Sequence, residues 1–165
     1  MIATTVHSIR VSLMSHHRVV LLKQVDAERY LAIWIGPFEA DAIAMSLQRM
    51  DTPRPMTHDL LKAVISELGA SVSHVLIAEL RDNTFHARVV MDVGGRHAEV
   101  DSRASDAMAL AVRCGVTIYV ADDVMDEASI VVSPELEHAS PEEEESLSAF
   151  RDFVNTLDLG EEEDN

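Results

Sequence analysis

Apolar residues in this chain switch repeatedly between two spacings, every second residue and every third or fourth. That switching restricts the chain to strands and helices packed against one another. Alternation predicts strands over residues 5–13, 18–25, 30–35, 72–80, 84–91 and 97–101, with a register break near Ser8. Asp26-Ala27-Glu28-Arg29, Arg81-Asp82-Asn83 and Val93-Gly94-Gly95-Arg96 supply the turns, and residues 116–120 form one more short strand. Helical spacing predicts a helix over residues 38–50, opened by Gly36-Pro37. A second begins at Thr57, carries Leu60, Leu61, Val64, Ile65 and Leu68, and stops at Gly69. Residues 103–114 return to helix and end at Gly115, and residues 122–127 make a final turn or two. The fold class is α+β, a mixed or antiparallel sheet with packed helices.

When the chain is slid by 65 residues, Asp41-Ala-Ile-Ala-Met45 falls on Asp106-Ala-Met-Ala-Leu110, and the preceding hairpins also superpose. Two readings fit: internal duplication of a hairpin-helix unit, or the chance recurrence of alanine-rich helices.

With 165 residues and 47% hydrophobic content there is room for one well-filled core. Only 4% of residues are aromatic, so aliphatic side chains and eight methionines must fill it. Cys114 is the sole cysteine, which excludes an internal disulfide and a paired-thiol zinc site. No apolar run is long enough to cross a bilayer, and the first residues lack the continuous apolar stretch of a signal peptide, so a cytoplasmic location is expected. The formal charge of −16 is unevenly placed: residues 129–165 hold twelve acids and one base. This divides the chain into a domain over residues 1–130 and an acidic segment over residues 131–165. In that segment Leu147, Phe150, Val154 and Leu157 predict a helix with one thin apolar stripe, suited to docking on the body or on a protein partner, before a disordered end. The body lacks the basic face of a high-affinity duplex binder, so nucleic acid must be met by local arginines, metal ions or weak binding.

Three runs are similar to the bifunctional nuclease (DNase/RNase) family: Val19-Val-Leu-Leu-Lys23 with Leu31-Ala-Ile-Trp-Ile-Gly-Pro-Phe-Glu39-Ala, then Arg54-Pro-Met-Thr-His-Asp-Leu-Leu-Lys62, then Asp101-Ser-Arg-Ala-Ser-Asp-Ala-Met-Ala-Leu110. They occur in the family's order and span most of the first 130 residues, leaving the acidic segment outside. The resemblance implies a compact intracellular α+β domain that hydrolyses phosphodiester bonds in DNA and RNA.

Phosphodiester hydrolysis with Mg or Mn needs clustered carboxylates, a base and a positive group for the phosphate. Glu39, Asp41, Asp59, Asp101 and Asp106 all fall at strand-to-helix junctions, and Glu39, Asp59, Asp101 and Asp106 are the candidate metal ligands. At the Thr57-His58-Asp59 helix start, Arg54, Thr57 and His58 are candidates to hold or work on a phosphate; equally, Thr57 caps the helix and Asp59 complements its dipole. In Asp101-Ser102-Arg103-Ala104-Ser105-Asp106, the two acids are set to share a metal while Arg103 and Ser105 contact substrate, or Arg103 simply pairs with a carboxylate and a serine caps the helix. Glu39 is open to the same two readings. Trp34 is assigned to packing rather than base stacking, Cys114 to inert core, and His16, His17, His74, His86 and His97 lack metal-ligand spacing.

Two functions follow. The first is metal-assisted hydrolysis of DNA and RNA with little sequence preference, with Asp59, His58, Asp101 and Asp106 as catalytic candidates. The second is a non-catalytic oligomeric module that binds an anion or a partner. Exposed strand edges suit a homodimer or larger homo-oligomer under either.

Overall fold

A computed structural model of the protein describes residues 1–12, 18–131 and 157–158. Its elements in order are β1 (Ile2–Ser12), β2 (Arg18–Gln24), β3 (Arg29–Ile35), α1 (Pro37–Leu47), α2 (Thr57–Glu67), β4 (Ala70–Arg81), β5 (Thr84–Val93), β6 (Arg96–Arg103), α3 (Ala104–Cys114), β7 (Ile118–Val120), α4 (Asp122–Ala128), β8 (Ser129–Val131) and β9 (Leu157–Asp158). All strands join one mixed sheet in the order β6-β5-β4-β7-β1-β2-β3-β8, with β9 paired to β1. Pairing is antiparallel except between β4 and β7.

That order bears on the repeat. On either side of β7 lies a three-stranded meander followed by a helix, β1-β2-β3-α1 on one flank and β4-β5-β6-α3 on the other. The pairing slips between Val6 and Ser8 in β1, and between Val72 and His74 in β4, close to the 65-residue offset. Shared connectivity and a shared bulge favour duplication over chance.

The core lies between the sheet and α3. Val20, Leu22, Leu31 and Ile33 from the first meander meet Val75, Ile77 and Ala87 from the second, over Met108 and Leu110 of α3. Ala104, Ala107, Ala109 and Ala111 are all buried on α3, and their small side chains let the sheet, α1 and α2 approach it closely. A left-handed Gly115, φ 68°, ends α3, as its sequence position predicts.

Several local expectations shift. Arg49 turns left-handed, φ 53°, so α1 stops at Leu47 and Met50 falls outside it. Met56 rather than Thr57 precedes α2, and the Met56 amide donates to Asp59 at 2.9 Å. Arg103 precedes α3, where neither Ser102 nor Ser105 caps the helix: the Ser102 hydroxyl donates to the Arg103 carbonyl, and Ser105 is buried. The apolar stripe of α2 does not face the core. Leu60, Leu61, Val64 and Leu68 are exposed, and the helix seats instead on His58 and Ile65. The expected acidic helix lies outside the described residues apart from Leu157, which sits in strand β9. Among the described residues no helix is long and apolar enough to cross a membrane.

Polar contacts hold α2 to α3. Arg113, whose side chain is 5% exposed, donates to Asp59 at 2.7 Å and to the Ala109 carbonyl at 3.0 Å, and Lys62 donates to the Arg113 carbonyl at 2.6 Å. Burial alone would raise the Asp59 carboxyl, but the Met56 amide and the Arg113 guanidinium outweigh it and hold the carboxyl below its ordinary value. A carboxyl depressed in this way contributes stability above the ordinary carboxylate range, and the contribution disappears as pH falls through the folded value. Asp59→Asn is expected to lower unfolding free energy by about 2 kcal/mol at neutral pH, discounted for the partial exposure of Asp59. It should also flatten the acid limb of stability against pH, read by denaturant titrations from pH 7 to pH 3. An acid limb identical to that of the parent would refute this role.

Candidate functional site

Three helices begin at one place. The first turns of α1, α2 and α3 line a cleft of about 420 Å³ with Phe38, Glu39 and Asp41 from α1, Thr57 and His58 from α2, and Arg103 and Asp106 at the start of α3. Ala42, Met45 and Met56 give it an apolar floor. The arrangement follows from the repeat, because α1 and α3 are equivalent helices packed together, and α2 lies against α3. The positive ends of three helices meet here, set against the carboxylates of Glu39, Asp41 and Asp106 and beside the cation of Arg103.

A chain of polar contacts runs through it. His58 Nε2 lies 3.1 Å from Asp106 Oδ1, Arg103 Nε donates to Asp106 Oδ2 at 2.7 Å, and the Arg103 guanidinium meets Glu39 Oε1 at 3.0 Å. Arg103 thus joins carboxylates from two helices. Its side chain remains 68% exposed, whereas those of His58, Glu39 and Asp106 are 10%, 19% and 32% exposed. Among these four the outermost group is therefore the cation, with Glu39, Asp106 and the imidazole behind it, while Asp41 is a further, exposed acid of the cleft. Burial pushes the Asp106 carboxyl up, but hydrogen bonds from Arg103 and His58 and their charges overcome it and leave the group lowered. Arg103 is raised by the same Asp106 hydrogen bond and charge, with Glu39 adding to it.

Glu39, Asp59 and Asp106 are each the third residue of their helix, where an acid favours the positive helix end. They spend their carboxylates differently. Asp59 turns back to the Met56 amide and sideways to Arg113, whereas Asp106 crosses to another helix and Glu39 crosses to Arg103. The Glu39 carboxylate also folds over Gly36, where a Cβ would occupy its place.

Among the sequence candidates, the fold brings Glu39, Thr57, His58, Arg103 and Asp106 to this cleft. It places the other four elsewhere. Asp59 lines a second hollow of about 300 Å³ on the other flank of α2, with Arg49, Lys62 and Arg113. Asp101 is exposed within β6, paired in register with Arg88, before the helix start that carries Arg103 and Asp106. Arg54 is exposed in the connector before α2, its carbonyl accepting from Thr52, and does not line the cleft. Ser105 points into the protein and is 8% exposed. Among the described residues no three His, Cys, Asp or Glu side chains form a group placed to hold a metal; Glu39 and Asp106 are the two carboxylates joined through Arg103.

Two contributors stood outside the catalytic, metal and substrate candidates, although Asp41 was one of the junction acids named from the sequence. Asp41 reaches the cleft, and the repeat had pointed to it by setting it on Asp106. Phe38, 83% exposed on the rim, had as its only signal an aromatic one residue before Glu39 in a helix's first turn.

The comparisons with known proteins agree with the three resembling runs. The model of the bifunctional nuclease domain matches residues 20–133. The chain is also 38% identical over 151 residues to two proteins of Mycobacterium tuberculosis, "Uncharacterized protein Rv1829" of strain H37Rv and "Uncharacterized protein MT1877" of strain CDC 1551, covering 90% of this chain and 90% of each of them. The family-model match runs from within β2 past β8, covering the second meander and all three helix starts of the cleft, and the chain belongs to the bifunctional nuclease domain family.

Proposed function

We propose that the chain cleaves phosphodiester bonds in nucleic acid, with little sequence preference, at the cleft where α1, α2 and α3 begin. The observation that carries this is the contact chain His58–Asp106–Arg103–Glu39, which sets an imidazole, its orienting carboxylate and an exposed guanidinium side by side. Arg103 takes a phosphate oxygen, aided by helix N–H groups. Asp106 engages Nε2 of His58 and leaves Nδ1 as the nitrogen for proton transfer. Phe38 on the rim offers a surface for an unpaired base.

On RNA these side chains suffice. Nδ1 of His58 takes the proton of the 2′-hydroxyl as that oxygen bonds to phosphorus. The P–O5′ bond then breaks, and the leaving O5′ takes a proton from water. DNA lacks that hydroxyl and needs an activated water. Magnesium binds characteristically through one or two carboxylates plus substrate phosphate, and Glu39 and Asp106 would hold it in exchange for their contacts with Arg103. When bound, Mg or Mn supplies a Lewis acid and a more acidic water for that reaction.

The assay uses single-stranded RNA and DNA with purified protein, each with Mg or Mn and with EDTA. RNA cleavage is expected to persist in EDTA and yield 2′,3′-cyclic ends, while DNA cleavage requires the metal. His58→Ala and Asp106→Asn should lower kcat by about 100-fold or more, the range of a lost acid–base group. Arg103→Ala should act mainly on kcat/KM, and Asp101→Asn should leave both unchanged. Turnover that survives His58→Ala and Asp106→Asn, or that separates from the protein on a sizing column, refutes the assignment.

A homo-oligomer belongs to the same reading, supported by the exposed Leu60, Leu61, Val64 and Leu68 on α2. Leu61→Lys with Val64→Lys is expected to reduce the mass measured by analytical ultracentrifugation to that of one chain. An unchanged assembly would remove α2 as its interface.

A further inference from the structure

The cleft is short of positive charge. Arg103 is the one arginine or lysine that lines it, set against Glu39, Asp41 and Asp106, so a strand held there alone meets more repulsion than attraction. The missing charge lies next to it. Met45 and Met56 line both the cleft and the hollow of about 300 Å³ on the other flank of α2, so the two adjoin across this pair of methionines. The hollow reverses the balance, with Arg49, Lys62 and Arg113 against Asp51 and Asp59. Arg113 is buried against Asp59 and the two charges cancel, which leaves Arg49 and Lys62 beside Asp51. Lys62 is exposed, and its hydrogen bond to the Arg113 carbonyl uses one of three ammonium donors. Arg49 is exposed as well, and among the described residues its guanidinium makes no hydrogen bond or ion pair.

The backbone beneath Arg49 points the same way. Arg49 after α1 and Gly115 after α3 are both left-handed, at φ 53° and φ 68°. Behind each, the next amide reaches back five residues, Met50 to the Met45 carbonyl at 2.9 Å and Val116 to the Ala111 carbonyl at 3.1 Å. The two halves thus share one kind of helix stop, filled by glycine in one and by arginine in the other. Glycine takes that conformation without strain and a side chain does not, so on stability alone glycine is the better residue. What arginine adds is a guanidinium on the lining of the hollow. We propose that this hollow is a subsite for the phosphate that flanks the one being cut, held by Arg49 and Lys62 while the strand crosses Met45 and Met56. The proposal rests on the reading of the cleft as the cutting site, and adds to it the place where a single strand is gripped. The two methionines give the sugar or base between the phosphates an apolar, adaptable surface to lie on.

Binding and cutting are read separately in the full chain. Affinity for a fluorescein-labelled single-stranded DNA hexamer is measured by anisotropy in EDTA, across salt concentrations. Arg49→Gln with Lys62→Gln is expected to weaken it about tenfold and to reduce the slope of log K against log salt by about 0.7, the share of one phosphate on a single strand. Arg49→Lys with Lys62→Arg keeps both charges and should retain the parental affinity and slope. With RNA, the gain in kcat/KM from a dinucleotide to a hexanucleotide should fall toward one in the double glutamine variant. Parental affinity and slope in that variant overturn the subsite, whether or not the chain cuts nucleic acid. So does a loss of affinity shared by the charge-keeping pair, which marks a structural effect. A parent that binds the hexamer through Arg49 and Lys62 and yet cuts neither nucleic acid keeps the hollow as a strand-binding site and refutes the cutting site instead.

Discussion

Close packing around α3 is the constraint on which the rest depends. Its four buried alanines bring the sheet, α1 and α2 near enough for the three helices to start around a common cleft. Larger side chains at Ala107 or Ala111 would force those elements apart, and the contacts of Arg103 with Asp106 and Glu39, at 2.7 Å and 3.0 Å, leave no slack for that. The site is therefore a product of core packing. Its polar groups lie on short, rigid first turns, which keeps their separations fixed more tightly than loops of similar length would.

The likeness of the two halves explains how such a cleft arises. Each meander delivers a helix whose first turn carries an acid, Glu39 on α1 and Asp106 on α3, and packing the two units side by side brings those turns together. The second unit alone places an arginine just before its helix. Arg103 can then serve both carboxylates, while α2, inserted between the units, adds the imidazole. The halves differ where the cleft holds unlike groups and match where packing needs like ones.

Much of this order was legible in the sequence, because periodicity reads the backbone well. The strands, the hairpin turns, the slip near Ser8 and the Gly115 stop all follow from local spacing and glycine geometry. The direction of α2 was not legible. Its stripe of Leu60, Leu61, Val64 and Leu68 has core-like spacing, yet the seating of α2 is fixed by His58, Ile65 and the Arg113–Asp59 pair, partners 54 positions apart that no local pattern reveals. The same limit applied to the acids. Glu39, Asp59 and Asp106 look alike in sequence as third residues of helices, and only the fold separates the one that closes a cap from the two that cross the cleft.

Under the proposed function, the charge of −16 sets the last condition on meeting a polyanion. Salt screens charges beyond roughly 10 Å at ordinary ionic strength, so what a phosphate meets in the cleft is decided by groups within that distance rather than by the total. There the exposed charged groups are Arg103 and Asp41, with Glu39 and Asp106 less exposed and helix N–H groups alongside. The distant acids still lower the rate of encounter and the affinity for duplex, since few phosphates can be neutralised at once. Weak, short contact through one arginine and one aromatic suits cleavage of flexible single strands better than retention of a duplex, and an acidic surface favours release of the negatively charged products.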